Sequence, residues 1–430
     1  MKTPWSIYTP DGMTDDLPGS CYAARVLEDK LRQLFQTHAF REIASPGLEF
    51  ADVYSCGDFA RPESLFKLTD AQGRLLALRY DGTIPAARMA ATVLRDQPLP
   101  LRLFYIEPMY RFGDQGGGRP QAFTQAGVEL LGLRSPWLDA EAIMLALEAC
   151  QTLGLSQLQI SIGQVDFFRG LTADWPLDQE MRRKLPQYID QKNDMAVAAL
   201  LKDLQLKPDE RRIIDHLLNG SGEWSLLEEL ADLTSQPIAL AAIEDLKKIR
   251  SCLAKWQLLD FCSLDLSLLQ DLDYYTGIVY KGFTYGVGTP VLSGGRYDQV
   301  VSAFGVDRPA TGFSLGMEML MQALQRQSLP WPQLPVPAVL VVPYEQLALV
   351  PDFYQAQRSD AGEPLSFACC FLSEGEQPDA GRLEQLAQSY PGQDLYLLTS
   401  EGQARFCRPG QQLPAGLTRV STSKEADTHA

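Results

Sequence analysis

LFYIEPMYRFGDQGGGRPQAFTQAGVELLG, residues Leu103–Gly132, decides how this chain is read. Two runs with strand character, Leu103–Phe112 and Ala122–Leu131, flank a loop too rich in glycine to stay regular. Side chains of a strand alternate between faces, so Glu107 and Arg111 share one side of the first run. On the second run Phe123, Gln125, Gly127 and Glu129 share a face, and Thr124, Ala126, Val128 and Leu130 form the other. Paired as a hairpin, the two runs give a polar floor of two carboxylates, an amide and a guanidinium. The reverse side is small and apolar, suited to covering helices. Such a floor fits a small zwitterion. The plain alternative is a sheet with one solvated face. Against it count the absence of lysine from the floor, the interruption by Phe123 and the open loop.

Outward from the hairpin, 430 residues leave room for two or three domains with proper cores. A hydrophobic fraction of 45% and a charged fraction of 21% describe a globular chain rather than a disordered or fibrous one. Residues 1–11 lack the apolar core of a secretory signal, and no apolar run reaches membrane-spanning length. A cytoplasmic protein without membrane contact is expected. The eight cysteines include no C-x-x-C pair, and the three histidines lie far apart, so no metal and no disulfide framework is expected. The formal charge of −16 disfavours phosphate-backbone binding, which needs a local surplus of Lys and Arg.

Taken in order, TPDGMTDDLPGS is turn chemistry, and Ser20–Thr37 is an amphipathic helix with Ala23, Val26, Leu27, Leu31, Leu34 and Phe35 as its stripe. Phe40–Phe50 reads as a strand broken by Pro46, and Ser64–Arg79 as a hairpin turning at Ala71–Gly73. Thr83 is placed to cap a helix with Pro85 in its first turn. A helix over Leu138–Leu153 precedes the strand LQISIG; residues 165 to 258 then read as helical, and sheet character returns at Ser263–Leu269 and in YYTGIVYKGFTYG. SGGRYDQVVSAFG reads as a glycine turn feeding a helix, and TGFSLGMEMLMQAL as a strand or turn running into one. Pro330, Pro332, Pro335 and Pro337 stiffen a linker. Beyond it AVLVVPY, LSFACCFL and DLYLLTS are strands of a small α/β domain.

These motifs, PDGMTDDLP, LRYDGT, YIEPMYRF, FTQAGVELLG, DLDYYTGIVY, SGGRYD and TGFSLGMEML, occur in an order that resembles histidyl-tRNA synthetase and its non-translating paralogue, the regulatory subunit of ATP phosphoribosyltransferase. The resemblance covers Pro10 to about Leu324. It implies an α+β fold: a class II aminoacyl-tRNA synthetase-like antiparallel sheet of six strands flanked by helices, in a homodimer. The expected organisation is a synthetase-like domain at 1–325 with a helical insertion at about 165–260, a proline-rich linker at 326–337, a small α/β domain at 338–415 and a flexible tail.

In that family histidine is held at positions matching Asp81, Thr83, Arg111, Gln125, Glu129, Tyr275 and Tyr297. The chemistry agrees: an ammonium wants the carboxylate and oxygens of Asp81, Thr83 and Gln125, and a ring N–H wants a buried acceptor such as Glu129. Asp81 is a departure, since synthetases carry a longer Glu there. The ATP-handling positions depart further. Gln121, Gln270 and Met319 stand where synthetases place arginines, Gly113 stands where the hairpin carries a glutamate, and FTQ replaces the common FHQ. Phosphoryl-type transition states need preorganised positive charge. The resemblance therefore implies a chain with no catalytic residues and no cofactor that senses histidine rather than activating it. As a regulatory subunit it would pair with a short catalytic subunit in the first step of histidine biosynthesis, carry feedback by L-histidine and bind no tRNA. A divergent histidyl-tRNA synthetase is the alternative. Arg296 in GGRYD carries a plain structural reading, and only one of Tyr274 and Tyr275 is expected to face the pocket.

Overall fold

Pro18 sits in the first turn of α1 (Pro18–Thr37), where its missing N–H costs no hydrogen bond. Leu27, Leu31 and Phe35 recur at helical spacing and are buried. The computed structural model to which these elements belong describes residues 7–57, 59–113, 120–220, 222–269, 274–359 and 366–407. After α1 come β1 (Arg41–Glu42), β2 (Leu48–Phe50), α2 (Asp52–Ser55), β3 (Lys67–Thr69), β4 (Leu75–Leu78) and α3 (Thr83–Ala91). The central hairpin is β5 (Leu101–Tyr110) and β6 (Ala122–Leu131), followed by α4 (Pro136–Thr152) and β7 (Leu158–Gln164). Helices α5 (Val165–Thr172), α6 (Gln179–Asp190), α7 (Asp194–Leu200), α8 (Pro208–Asn219), α9 (Leu226–Leu233) and α10 (Pro237–Lys255) form the insertion. The chain then returns through β8 (Cys262–Leu264), β9 (Ile278–Thr284), β10 (Leu292–Arg296), α11 (Asp298–Ser302), β11 (Ala310–Gly316) and α12 (Met317–Arg326).

The main sheet runs β1-β5-β6-β11-β10-β9-β7-β8. From β5 to β7 every pairing is antiparallel, which makes the six-stranded core. The short strands β1 and β8 add a parallel edge at either side. Phe104, Ala126, Val128 and Leu130 point to the helix side and share one buried cluster with Leu27, Leu31 and Phe35 of α1 and Ile143, Ala146 and Leu147 of α4. Phe35 fixes that packing, with ring centroids 5.4 Å from Phe104 and 6.2 Å from Phe313. Each such side chain gives about 1.5–3 kcal/mol by leaving water, so this underside holds the hairpin to its helices. A separate three-stranded sheet, β2-β4-β3, precedes α3.

The chain divides into two compact units, Met1–Gln333 and Leu334–Ala430, with the division inside the proline-rich stretch. The second unit has β12 (Ala338–Val342), α13 (Val350–Ser359), β13 (Phe367–Phe371), α14 (Ala380–Ser389), β14 (Leu395–Leu398) and β15 (Ala404–Cys407). Its sheet order is β13-β12-β14-β15, parallel except for the last pair.

Several local readings change. SGGR is a strand in the middle of the sheet, not a turn. Its glycines are there for closeness: a Cβ on Gly294 would lie 2.5 Å from the Gly312 carbonyl oxygen and 2.6 Å from the Tyr280 ring. The sheet segment at 263–269 shortens to β8, after which Asp265 accepts from the backbone and hydroxyl of Ser267 in a turn. Phe40–Phe50 separates into β1 and β2. The region Gly116–Gly118 lies outside the described residues.

Candidate functional site

Register places the floor. Opposite Gln125, Gly127 and Glu129 on β6 stand Glu107, Tyr105 and Leu103 on β5, and on the other side Gly316, Ser314 and Gly312 on β11. Directly opposed residues of an antiparallel pair share a face. Gly312 keeps that face open for Glu129, because a Cβ there would lie 2.5 Å from Glu129 Oε2. Glu107, expected as one of two floor carboxylates, is instead consumed by structure. It pairs with Arg79 at 2.7 Å and accepts from the backbone and hydroxyl of Ser45. Arg79, itself buried, also donates to the carbonyls of Pro108 and Ser45.

The second acid of the site comes from the entry to α3. Gly82 holds the N-cap position and Thr83 is the first residue of the helix; the first-turn N–H of Ile84 is met at 3.0 Å by Asp81 Oδ1, one residue before the cap, and not by Thr83. Gln125 reaches the same segment, its Oε1 accepting the Gly82 N–H at 3.2 Å. Floor and helix entry are thereby locked together. Arg111 lies between Tyr80 and Phe123, with its guanidinium carbon 4.6 Å and 5.1 Å from their ring centroids, and its Nε donates to the Tyr80 carbonyl. Stacked in this way it is held near Asp81 as the local positive charge.

Glu129 is 1% exposed. Tyr297, which follows β10, donates its hydroxyl to Glu129 Oε2, while Oε1 has no hydrogen-bond partner among the described residues. Burial raises its carboxyl to about 8; the hydroxyls of Tyr297 and Thr83 oppose that, Asp81 adds to it, and Tyr105 opposes it. Asp81 is pushed up to about 6, again by burial first, against the pull of Arg111 and the Ile84 N–H. Two desolvated acids therefore share one site; Arg111 draws on Asp81, and Glu129 keeps an acceptor oxygen without a partner among the described residues. A ligand bringing a cation and a ring N–H would relieve both.

Strand β9 begins only at Ile278, so Tyr274 and Tyr275 lie ahead of it. The Tyr274 ring stands 5.8 Å from that of Tyr297, and both Asp81 and Glu129 push its hydroxyl further up after burial. Tyr275 packs edge-on to Tyr274 and beside Val165, Leu268 and Val279. Asp81, Thr83, Gln125, Glu129 and Tyr297 thus converge, Arg111 adjoins Asp81, and Tyr275 packs against Tyr274. The residue missed in the sequence is Tyr105, whose hydroxyl is 3.4 Å from Thr83 Oγ1. Its odd-numbered place beside Glu107 and Arg111 was the available signal.

The positions that the resemblance assigns to nucleotide handling carry no charge. Gln121 donates its N–H to the Gly12 carbonyl, accepts from Arg111 N through its own carbonyl, and packs its side chain on Gly12. Met319 Sδ accepts from the Thr289 hydroxyl at 3.3 Å. Gly113 has open space around its Cα, and Gln270 lies outside the described residues. Arg296 makes a buried pair with Asp139 at 2.8 Å and a second with Asp298, tying β10 to α4. It serves the scaffold. Among the described residues no group of His, Cys, Asp and Glu could hold a metal ion, and no helix is long and apolar enough to cross a membrane.

Comparison with known proteins places this geometry. The family model described as histidyl-tRNA synthetase matches residues 12–320. A protein of Acetivibrio thermocellus named ATP phosphoribosyltransferase regulatory subunit is 41% identical over 324 residues, 75% of this chain and 78% of that protein. A crystal structure from Bacillus halodurans, described as an ATP phosphoribosyltransferase regulatory subunit/histidyl-tRNA synthetase, superposes with a TM-score of 0.79 at 26% identity over 93% of this chain and all of that one. Histidyl-tRNA synthetase from Nostoc shares the fold, with a TM-score of 0.72 at 22% identity over 92% of each chain. The chain belongs to the ATP phosphoribosyltransferase regulatory subunit family, on the histidyl-tRNA synthetase fold.

Proposed function

We propose that the chain is the non-catalytic regulatory subunit of an ATP phosphoribosyltransferase, acting with a short catalytic subunit in the first step of histidine biosynthesis and binding L-histidine as its effector. One observation carries the reading. The floor keeps a buried acceptor, Glu129 Oε1, beside Asp81 and Gln125, while Gln121 and Met319 are uncharged on the nucleotide side. In this reading the histidine ammonium meets Asp81 and Gln125, its carboxylate meets Arg111, its ring N–H meets Glu129, and Tyr297 and Tyr275 line the ring. The relatives' name supports the partner. A homodimer is the assembly that the family's synthetases imply.

A tRNA-charging role finds less support. Residues 334–430, in the place of an anticodon-binding domain, carry 12 Asp and Glu against 6 Lys and Arg. That balance opposes binding to a phosphate backbone. The test is to mix the purified chain with the short catalytic subunit and follow both complex formation and phosphoribosyl transfer. The reading expects co-elution and a gain in activity. No complex, together with histidine-dependent charging of tRNA, overturns it.

A further inference from the structure

On the helix side of the sheet, α1, the start of β6 and α12 enclose a cavity of about 230 Å³. Thr124 forms part of its wall and points to the opposite side of β6 from Gln125, so cavity and floor lie back to back. Three acids line it, Asp16, Glu28 and Glu318, against one base, Arg25. Glu28 is 4% exposed, and its partner Arg25, 2.5 Å away, has a side chain that is 70% exposed. An ion pair with so solvated a cation offsets little of the cost of burying the acid. Glu318 Oε1 accepts the Thr124 N–H at 2.7 Å, whereas Oε2 is enclosed and has no hydrogen-bond partner among the described residues. Burial pushes its carboxyl above the ordinary value; the Thr124 N–H opposes that, and Asp16 adds to it.

The cavity thus carries more acid than base, with one enclosed carboxylate oxygen unmet. Such an oxygen calls for a donor, and an excess of acid calls for a cationic one. Among the described residues no group of side chains could hold a metal ion, so the cation is organic. The other walls fix its body: Ala24, Met317 and Met321 offer apolar surface, and methionine adapts readily to a flexible chain. We propose that this cavity is a second ligand site, for a small aliphatic amine held by the charge of Glu28 and Glu318 with its methylenes on Met317 and Met321. None of its walls belongs to the histidine floor, so the site stands whether or not the floor binds histidine.

The experiment uses the full chain and putrescine, an aliphatic diamine, at fixed ionic strength. Calorimetry gives the affinity, and the methyl NMR signal of Met321, assigned by its loss in Met321→Leu, reports the place. The expected result is saturable binding that shifts the Met321 signal, with affinity about tenfold lower or worse in Glu318→Gln and in Glu28→Gln. Glu318→Gln keeps an oxygen for the Thr124 N–H, and an unchanged melting temperature confirms that its fold holds. A butanediol of the same length, with hydroxyls for ammonium groups, should neither bind nor compete. Absence of putrescine binding overturns the proposal, as does binding that leaves the Met321 signal unmoved. So does equal affinity for the diol, or affinity unchanged in Glu318→Gln. If Glu28→Gln does not fold, Glu318→Gln and the diol decide.

Discussion

The two ends of one sheet surface have gone different ways. In the proposed histidine floor, Asp81, Gln125, Glu129 and Tyr297 are buried, Asp81 and Gln125 accept backbone N–H groups at the entry of α3, and Tyr297 donates to Glu129. At the positions proposed as a lost nucleotide side, Gln121 is bonded to Gly12 and Met319 to Thr289, and neither residue carries a guanidinium. Buried acids are costly to keep without a partner, whereas an uncharged site costs nothing to maintain. Under the proposed function this contrast separates recognition from activation: the same backbone would hold the first and lack the charges for the second.

The largest expected effect attacks the nucleotide end. Histidine-dependent ATP–pyrophosphate exchange by the purified chain should stay at background, because a single arginine on a transferring phosphoryl group is worth roughly 10³-fold or more. Exchange that tracks the protein through purification would erase the contrast. Beneath the floor, Leu31→Ala should lower unfolding free energy by about 2–5 kcal/mol in denaturant melts. Histidine affinity of the remaining folded protein should hardly change.

On the floor itself the order reverses. Glu129→Gln keeps volume and should cost about 1.5–3 kcal/mol of histidine binding by calorimetry, with a ligand-free melting temperature near neutral pH that rises rather than falls. A clear loss of stability with unchanged affinity would mean that Glu129 serves the scaffold. Asp81 separates two roles in one residue. Asp81→Ala should destabilise by about 0.5–2 kcal/mol through the lost bond to the Ile84 N–H of α3, whereas Asp81→Asn should keep that bond and weaken ammonium binding.

A pH series sharpens the same contrast. Both acids titrate above their ordinary values of 3.8 and 4.5, at about 6 for Asp81 and about 8 for Glu129. Each favours the folded state when protonated, so stability is present at low pH and is lost as pH rises through these windows. Ligand-free protein should lose stability between pH 6 and 8, and Glu129→Gln should flatten that interval. An unchanged slope would place the titration elsewhere.

What the sequence showed, and what it hid, follows from range. Gln125 and Glu129 were legible because a period of two on one strand assigns their face. The fate of Glu107 was not, since Arg79 and Ser45 reach it from segments about 30 and 60 residues away. Cap choice failed for a local reason: Asp81 and Thr83 both offer an oxygen to the first turn, and only the backbone path decides between them. SGGR was misread because glycine signals a turn in isolation, while here it marks close approach inside a sheet. Tyr105 was hidden among the aromatic residues of β5 until Gly82 and Gly127 were brought beneath it.

The most direct test of a chain that senses histidine without activating it is a histidine titration of phosphoribosyl transfer by the assembled complex, with wild-type chain and with Glu129→Gln. The account predicts inhibition by histidine in the wild-type complex, and an inhibition curve shifted about tenfold or more to higher histidine in the variant. Superimposable curves, or a wild-type complex indifferent to histidine, would contradict it.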